Sequence, residues 1–303
     1  MRTVATAEVA ECLVSSQFPE WAGLPVRPVE HAGWDNTTFR LGDDLSVRMP
    51  TAEWYVEAVD KEHRWLPYLA PYLPLPIPTP VAKGSPGCGF PRPWSVYRWL
   101  PGAHATVDRV ADPVAFALDL AAFLRALYAV PPGGGPPPGD HNFGRGASPG
   151  VYDEQTRAAI ERLRGDVDTA AATEVWEAAR VPFEGEPVWL HGDLGASNLL
   201  VSEGRLSAVI DFGTTAVGDP ACDLVIAWTF LAGEAREAFR EAVGLDAGAW
   251  ARGRGWALWK ALITQVGALD EGRADTAGLR FGWRQNARAV LDDVIADHAA
   301  YGR

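Results

Sequence analysis

Two hydrophobic periodicities divide the chain. Across residues 3–18 the apolar positions Val4, Ala7, Val9, Cys12 and Leu13 follow helical spacing, and from there to Pro50 short β-rich runs alternate with turns. The segment TTFRLGDDLSVRMP predicts two strands, 37–41 and 45–49, closed by the tight Gly42-Asp43-Asp44 turn. Residues 53–70 carry Val56, Val59, Trp65 and Leu66 with charges between them, the pattern of an amphipathic helix that Pro67 ends or kinks. A proline-rich connector, 71–80, leads to strand-like runs at 79–83 and 94–100.

Beyond Pro101-Gly102 the pattern turns helical. Asp112 is placed as an N-cap before Pro113, and Phe116, Leu120, Phe123, Leu124 and Leu127 form an apolar stripe. The run PPGGGPPPG at 131–139 can be neither helix nor central strand and reads as a surface loop. Helical patterns return at 153–164 and 170–180, yield to a β-rich block at 188–212, and resume from 221 almost to the end. No internal repeat is visible. The expected class is α+β: a small antiparallel-sheet N-terminal lobe, 1–101, a hinge near Pro101, and a larger, mostly helical C-terminal lobe, 102–303.

With 39 acidic against 27 basic side chains the formal net charge is -12, which repels a polyanion, so no nucleic acid is expected as a partner. An acidic balance suits a cationic ligand and equally suits a protein kept soluble by charge. Cys12, Cys88 and Cys222 are scattered and show no CxxC pair, so neither a disulfide framework nor a zinc site is expected, and a reducing cytoplasm fits. Glu8 and Glu11 interrupt what would have to be an apolar signal core, and no run approaches ~20 apolar residues, so no membrane association is expected.

The candidate chemistry gathers in VWLHGDLGASNLLVSEGRLSAVIDFGTTAVGDPACDL. Its runs VWL, NLLV and LSAVIDF read as strands, with a hairpin turn at Glu203-Gly204 that brings Asn198 and Asp211 together. A carboxylate and an amide there make a hard oxygen site suited to Mg²⁺, which takes its remaining ligands from water and phosphates. Asp193, five positions before Asn198, is placed to accept a hydroxyl proton from a nucleophile.

His191-Gly192-Asp193-Leu194-x-x-x-Asn198 followed by Ile210-Asp211-Phe212-Gly213 resembles the catalytic and metal motifs of the aminoglycoside phosphotransferases, protein-kinase-like kinases of small molecules. Gly218-Asp219-Pro220-Ala221-Cys222-Asp223-Leu224 is similar to a segment of the antibiotic and choline kinases. The resemblance implies a two-lobed protein-kinase-like fold with Asp193 as base and with Asn198 and Asp211 on Mg²⁺. It implies ATP or GTP as co-substrate and a small, cationic hydroxyl acceptor such as an aminoglycoside. A choline- or homoserine-like acceptor, a catalytically silent nucleotide binder and a metal-dependent phosphohydrolase are the alternatives, and the assembly is expected to be a monomer or homodimer.

By the same resemblance, Gly33-Trp34-Asp35-Asn36-Thr37-Thr38 is a nucleotide-positioning loop, and the backbone of Arg98, Trp99 and Leu100 in WSVYRWLPG holds adenine. Where the phosphate-pairing lysine belongs, this chain has Arg48, expected to pair with Glu62; the only lysines are Lys61, Lys83 and Lys260. Glu53 and Glu57 read as a solvated face, His191, Asp219 and Asp223 as support for the catalytic loop, and the tryptophans, Trp228, Trp250, Trp256, Trp259 and Trp283 among them, as core. Glu234, Glu237, Glu241, Asp270, Glu271 and Asp275 are mostly surface charges that include candidate acceptor ligands. His141-Asn142-Phe143 and Arg145-Gly146 resemble a segment of some relatives and carry no assigned chemistry.

Overall fold

A computed structural model describes residues 5–29, 35–271 and 286–302. The chain forms two compact units, Met1–Pro71 with Pro76–Pro101 and Ile210–Gly213, and Tyr72–Leu75 with Gly102–Val209 and Thr214–Arg303.

The first unit begins with α1, Ala7–Gln17, capped by Thr6; Val4 of the expected stripe lies outside the described residues. Strands β1 (Val26–Pro28), β2 (Asn36–Leu41), β3 (Leu45–Pro50), β4 (Pro80–Gly84) and β5 (Trp94–Arg98) form a sheet in the order β1-β2-β3-β5-β4. Every pairing is antiparallel. Alternation gives this sheet two unlike faces. Val47, opposite both Phe39 and Val96, joins Leu41, Met49 and Trp94 in a core closed by Leu13 and Val14 of α1. The other face presents Arg48, opposite Thr38 and Ser95, and Tyr97, opposite Ser46.

Helix α2 (Val56–Leu69) serves that polar face, with His63 3.1 Å from the Ser95 hydroxyl. The helix continues through Pro67 to Leu69: Pro67 lies on the exposed side, where the carbonyl it leaves without a donor can turn to water. One expectation is overturned. Cys12 of α1 and Cys88, in the β4–β5 connection, form a disulfide across 76 residues, leaving Cys222 free and buried. Packing of α1 against the sheet creates this neighbourhood, and no spacing rule in the sequence reports it.

In the second unit β6 (Ala103–His104) leads to α3 (Pro113–Tyr128), capped by the Asp112 carboxylate, which accepts from the Val114 and Ala115 amides at 3.0 Å each. The expected α3 stripe is fully buried. Helices α4 (Asp153–Arg162) and α5 (Thr169–Ala178) precede β7 (Val188–Leu190), β8 (Leu199–Ser202), β9 (Arg205–Val209) and β10 (Ala216–Gly218). The block expected to be β-rich splits in two: β8 and β9 form a hairpin beside β6, while β7 pairs with β10. The proline-glycine loop is pinned to the latter pair, Val217 donating to Pro136 at 2.8 Å and the Trp189 indole to Pro131 at 3.0 Å.

Helices α6 (Ile226–Thr229), α7 (Gly233–Val243), α8 (Ala247–Asp270) and α9 (Ala287–Tyr301) complete the unit. Trp176, Trp228 and Trp256 are among its largest fully buried side chains, so the core reading of the helical tryptophans holds for these, and Trp189 on β7 is fully buried as well. The long α8 can lie against α5 because Gly255 is bare: a β-carbon there would meet that of Ala179 at 2.3 Å. Among the described residues no helix is long and apolar enough to cross a membrane.

The disulfide sets the thiol count. One thiol per chain should react under denaturing, non-reducing conditions, and three after reduction; in the chain-entropy treatment, reduction should also cost about 2 to 4 kcal/mol of stability in urea unfolding.

Candidate active site

The turn after β7 is held from behind by a carboxylate. Buried Asp223 accepts the amides of His191 at 2.9 Å and Gly192 at 2.8 Å, while Asp219 caps Ala221 at 3.1 Å and makes a two-point ion pair with Arg252 of α8, at 2.6 and 3.2 Å. Burial pushes both carboxyls up despite these partners. Gly192 is in the left-handed region at φ 88°, and a β-carbon would meet the Thr214 carbonyl at 2.6 Å. Fully buried His191 accepts the Asp193 amide at 3.3 Å, and its carbonyl accepts from the Thr214 hydroxyl at 3.1 Å, the supporting role expected of it.

This turn delivers Asp193 to a small pocket lined by Arg145, Leu194, Cys222, Val225, Trp256, Trp259 and Lys260. The Asp193 side chain is 43% exposed, and its Oδ1 accepts from the Lys260 Nζ at 2.7 Å. Burial alone would raise its pKa, but Lys260 and then Arg145 outweigh it and hold the carboxyl below its usual range, so it is ionised at neutral pH and can accept a proton. Asn198 donates its amide nitrogen to the Asp193 carbonyl at 2.8 Å, which commits the nitrogen and leaves the side-chain oxygen as the end that could face a metal. Asn198 immediately precedes Leu199, which pairs with Val209; Asp211 follows Val209 by two residues and belongs to the first unit.

In the first unit Arg48 reaches Glu62 of α2 at 3.3 Å and the Asp211 Oδ1 at 2.9 Å. Tyr97 donates to the other Glu62 oxygen, and its ring lies 5.6 Å from the guanidinium. Burial works against the Arg48 charge, yet Glu62 and then Asp211 hold its pKa well above the ordinary arginine value. Burial, reinforced by Glu62, likewise raises the Tyr97 hydroxyl. Glu53 pairs with Arg92 at 3.6 Å and Glu57 is exposed, so of the three glutamates on this segment Glu62 is the one that faces Arg48.

The register separates the expected nucleotide-loop residues. Thr38 lies opposite Arg48 and Asn36 shares that face, whereas Thr37 lies opposite buried Met49 on the core face; Gly33 and Trp34 fall outside the described residues. In the 98–100 segment the Arg98 amide donates to Thr79 at 2.9 Å and that of Trp99 to Asp44 at 2.8 Å. The expectation of an adenine donor therefore narrows to the Leu100 amide.

Sequence reasoning missed Lys260 and gave Arg145 no role. Arg145 stands over Trp256 and Trp259, 5.0 and 4.8 Å from their ring centres, and buried Asn142 ties its segment to Thr214 at 3.2 Å. The available signal for Lys260 was helical spacing: Arg252, Trp256 and Lys260 recur every four residues on α8. Among the described residues, the acidic side chains Glu234, Glu237, Glu241, Asp270 and Glu271 do not line this pocket; Asp270 pairs with Arg162 at 3.3 Å, and Asp275 and Trp283 lie outside the described residues.

A family model described as the phosphotransferase enzyme family matches residues 26–257. An aminoglycoside 3'-phosphotransferase of Escherichia coli is 32% identical over 121 residues, a match that covers 37% of this chain and 42% of that relative's length. The GDP complex of an aminoglycoside 2'-phosphotransferase superposes with a TM-score of 0.70 at 18% identity, covering 97% of this chain and 100% of the other. A macrolide 2'-phosphotransferase from Brachybacterium faecium gives a TM-score of 0.58 at 23% identity over 96% of each chain. These likenesses show the expected kinase-like fold.

Replacing Asp223 by Ala would strand two buried amides at the turn. The expected loss is about 2 to 5 kcal/mol in urea unfolding, well above that of an exposed carboxylate such as Glu57→Ala measured alongside.

Proposed function

Because this chain belongs to the phosphotransferase enzyme family, we propose that it is a small-molecule kinase that moves the γ-phosphoryl group of ATP or GTP to a hydroxyl of an acceptor such as an aminoglycoside. The observation that carries this reading is the Asp193 carboxylate, ionised by its cationic neighbours and open to a pocket. As the acceptor oxygen bonds to the γ-phosphorus, its proton passes to Asp193, and the bond from that phosphorus to the β–γ bridging oxygen breaks, releasing the nucleoside diphosphate. Arg48, oriented by Glu62, serves the nucleotide phosphates with the guanidinium donors that its carboxylate partners leave over. Asn36 and Thr38, on the Arg48 face, and the 98–100 segment contribute to the nucleotide site.

The donor set suits Mg²⁺. Asn198 offers its amide oxygen and Asp211 a partly exposed carboxylate, two hard ligands for an ion that takes the rest from phosphates and water. When bound, the ion would offset charge on the β- and γ-phosphate oxygens. Among the described residues no group of three or more His, Cys, Asp or Glu side chains could hold a metal unaided, which is what a two-metal phosphohydrolase needs. A nucleoside triphosphate co-substrate fits a cytoplasmic setting, although the Cys12–Cys88 disulfide removes the thiol argument for one, and the working unit proposed is a monomer or homodimer.

The test is incubation of the chain with Mg-ATP or Mg-GTP and a panel of aminoglycosides, macrolides and smaller hydroxylated amines, read by mass spectrometry for gain of one phosphoryl group. Asp193→Asn should lower kcat by about 100-fold or more, with the Mg-nucleotide Kd unchanged within about a factor of two. In the same assay Asp211→Ala should be more damaging than Asn198→Ala, because it removes a charged ligand rather than a neutral one. A fully active Asp193→Asn protein would remove that residue from the mechanism.

A further inference from the structure

Lys260 is built into its place. Its side chain is 13% exposed and its Nζ lies 2.7 Å from the Asp193 Oδ1. It shares one face of α8 with Arg252 and Trp256, and the buried two-point pair between Arg252 and Asp219 fixes the register of that face two turns away. On the same pocket Arg145 lies over the Trp256 and Trp259 rings, and Tyr152 stacks on Trp259 at 4.1 Å. Among the described residues the pocket thus sets two cations, Lys260 and Arg145, beside the Asp193 carboxylate.

We infer that Lys260 is a positioning residue for Asp193, and that together with Arg145 it makes the pocket select a hydroxyl whose neighbouring substituents are uncharged. This rests on the kinase reading above. With Oδ1 engaged by Lys260, Oδ2 is the oxygen left to take the acceptor's proton as the new O–P bond forms and the bond to the nucleoside diphosphate breaks. An ammonium group vicinal to the reacting hydroxyl would crowd Lys260 and Arg145, so the amines of an aminoglycoside belong outside this pocket.

The full chain and its Lys260→Met, Lys260→Arg and Lys260→Ala variants test this with the best acceptor of the panel. Lys260→Met should lower kcat about 10- to 100-fold with the Mg-nucleotide Kd unchanged within about twofold. Lys260→Arg should recover most of the loss, since a single-point contact needs a cation rather than a particular shape, and added methylammonium should recover part of the activity of Lys260→Ala. NMR of the phosphorylated product should place the phosphate at a hydroxyl with no vicinal ammonium.

Unchanged kcat in Lys260→Met would overturn the positioning role. So would a loss that neither arginine nor methylammonium repairs in variants with parental circular dichroism and nucleotide Kd. Phosphorylation beside an ammonium would overturn the selectivity. In each of these cases the parent still transfers phosphate and the kinase reading stands; a parent that phosphorylates nothing in the panel overturns that reading and this inference with it.

Discussion

A guanidinium cannot shed its proton, so a chain that buries one on a sheet must bring carboxylates to it. Arg48 imposes that constraint on the first unit. Strand parity directs it away from the apolar face, α2 answers with Glu62, Tyr97 completes the hydrogen bonding of that glutamate, and Asp211 supplies the second negative charge. The unlike faces of the sheet follow from the same requirement: the inward apolar side chains of the strands are gathered against α1, and the other face carries the ion pairs of Arg48.

The second unit solves a related problem with the signs exchanged. Its exposed carboxylate, Asp193, sits on a turn whose own amides are tied to buried Asp223, and the helix bearing its cationic partner is tied to buried Asp219. Two buried aspartates thus carry geometry while the exposed one is left for chemistry. Their raised pKa values and the lowered one of Asp193 express that division: burial dominates where the carboxyl is enclosed, and neighbouring cations dominate where it opens to the pocket.

Features governed by local rules were legible in the sequence. The 42–44 turn, the Asp112 cap with Pro113 and the α3 stripe follow from turn chemistry, capping chemistry and helical spacing, whereas the Arg48–Glu62 partnership was legible only through the family resemblance. Features that depend on tertiary proximity were not. Cys12 and Cys88 carry no motif, Lys260 lies 67 residues from the carboxylate it holds, and Arg145 sits in a segment that chemistry did not explain. Strand parity would already have set Thr37 apart from Asn36 and Thr38, since alternation aligns it with Phe39 and Leu41.

Arginine at position 48 also bears on which reagents could label the proposed nucleotide site. Nucleotide probes that label kinases through an acyl phosphate transfer their tag to a lysine amine beside the phosphates, and a permanently protonated guanidinium offers no such nucleophile. If Arg48 serves the phosphates as proposed, a survey built on that chemistry finds no amine at position 48, and any tag it leaves would fall on another lysine such as Lys260, whose Nζ stands 2.7 Å from the Asp193 Oδ1. Dicarbonyl reagents, which condense with guanidinium groups, are the matching choice, and protection of Arg48 from them would report occupancy in place of the missing amine.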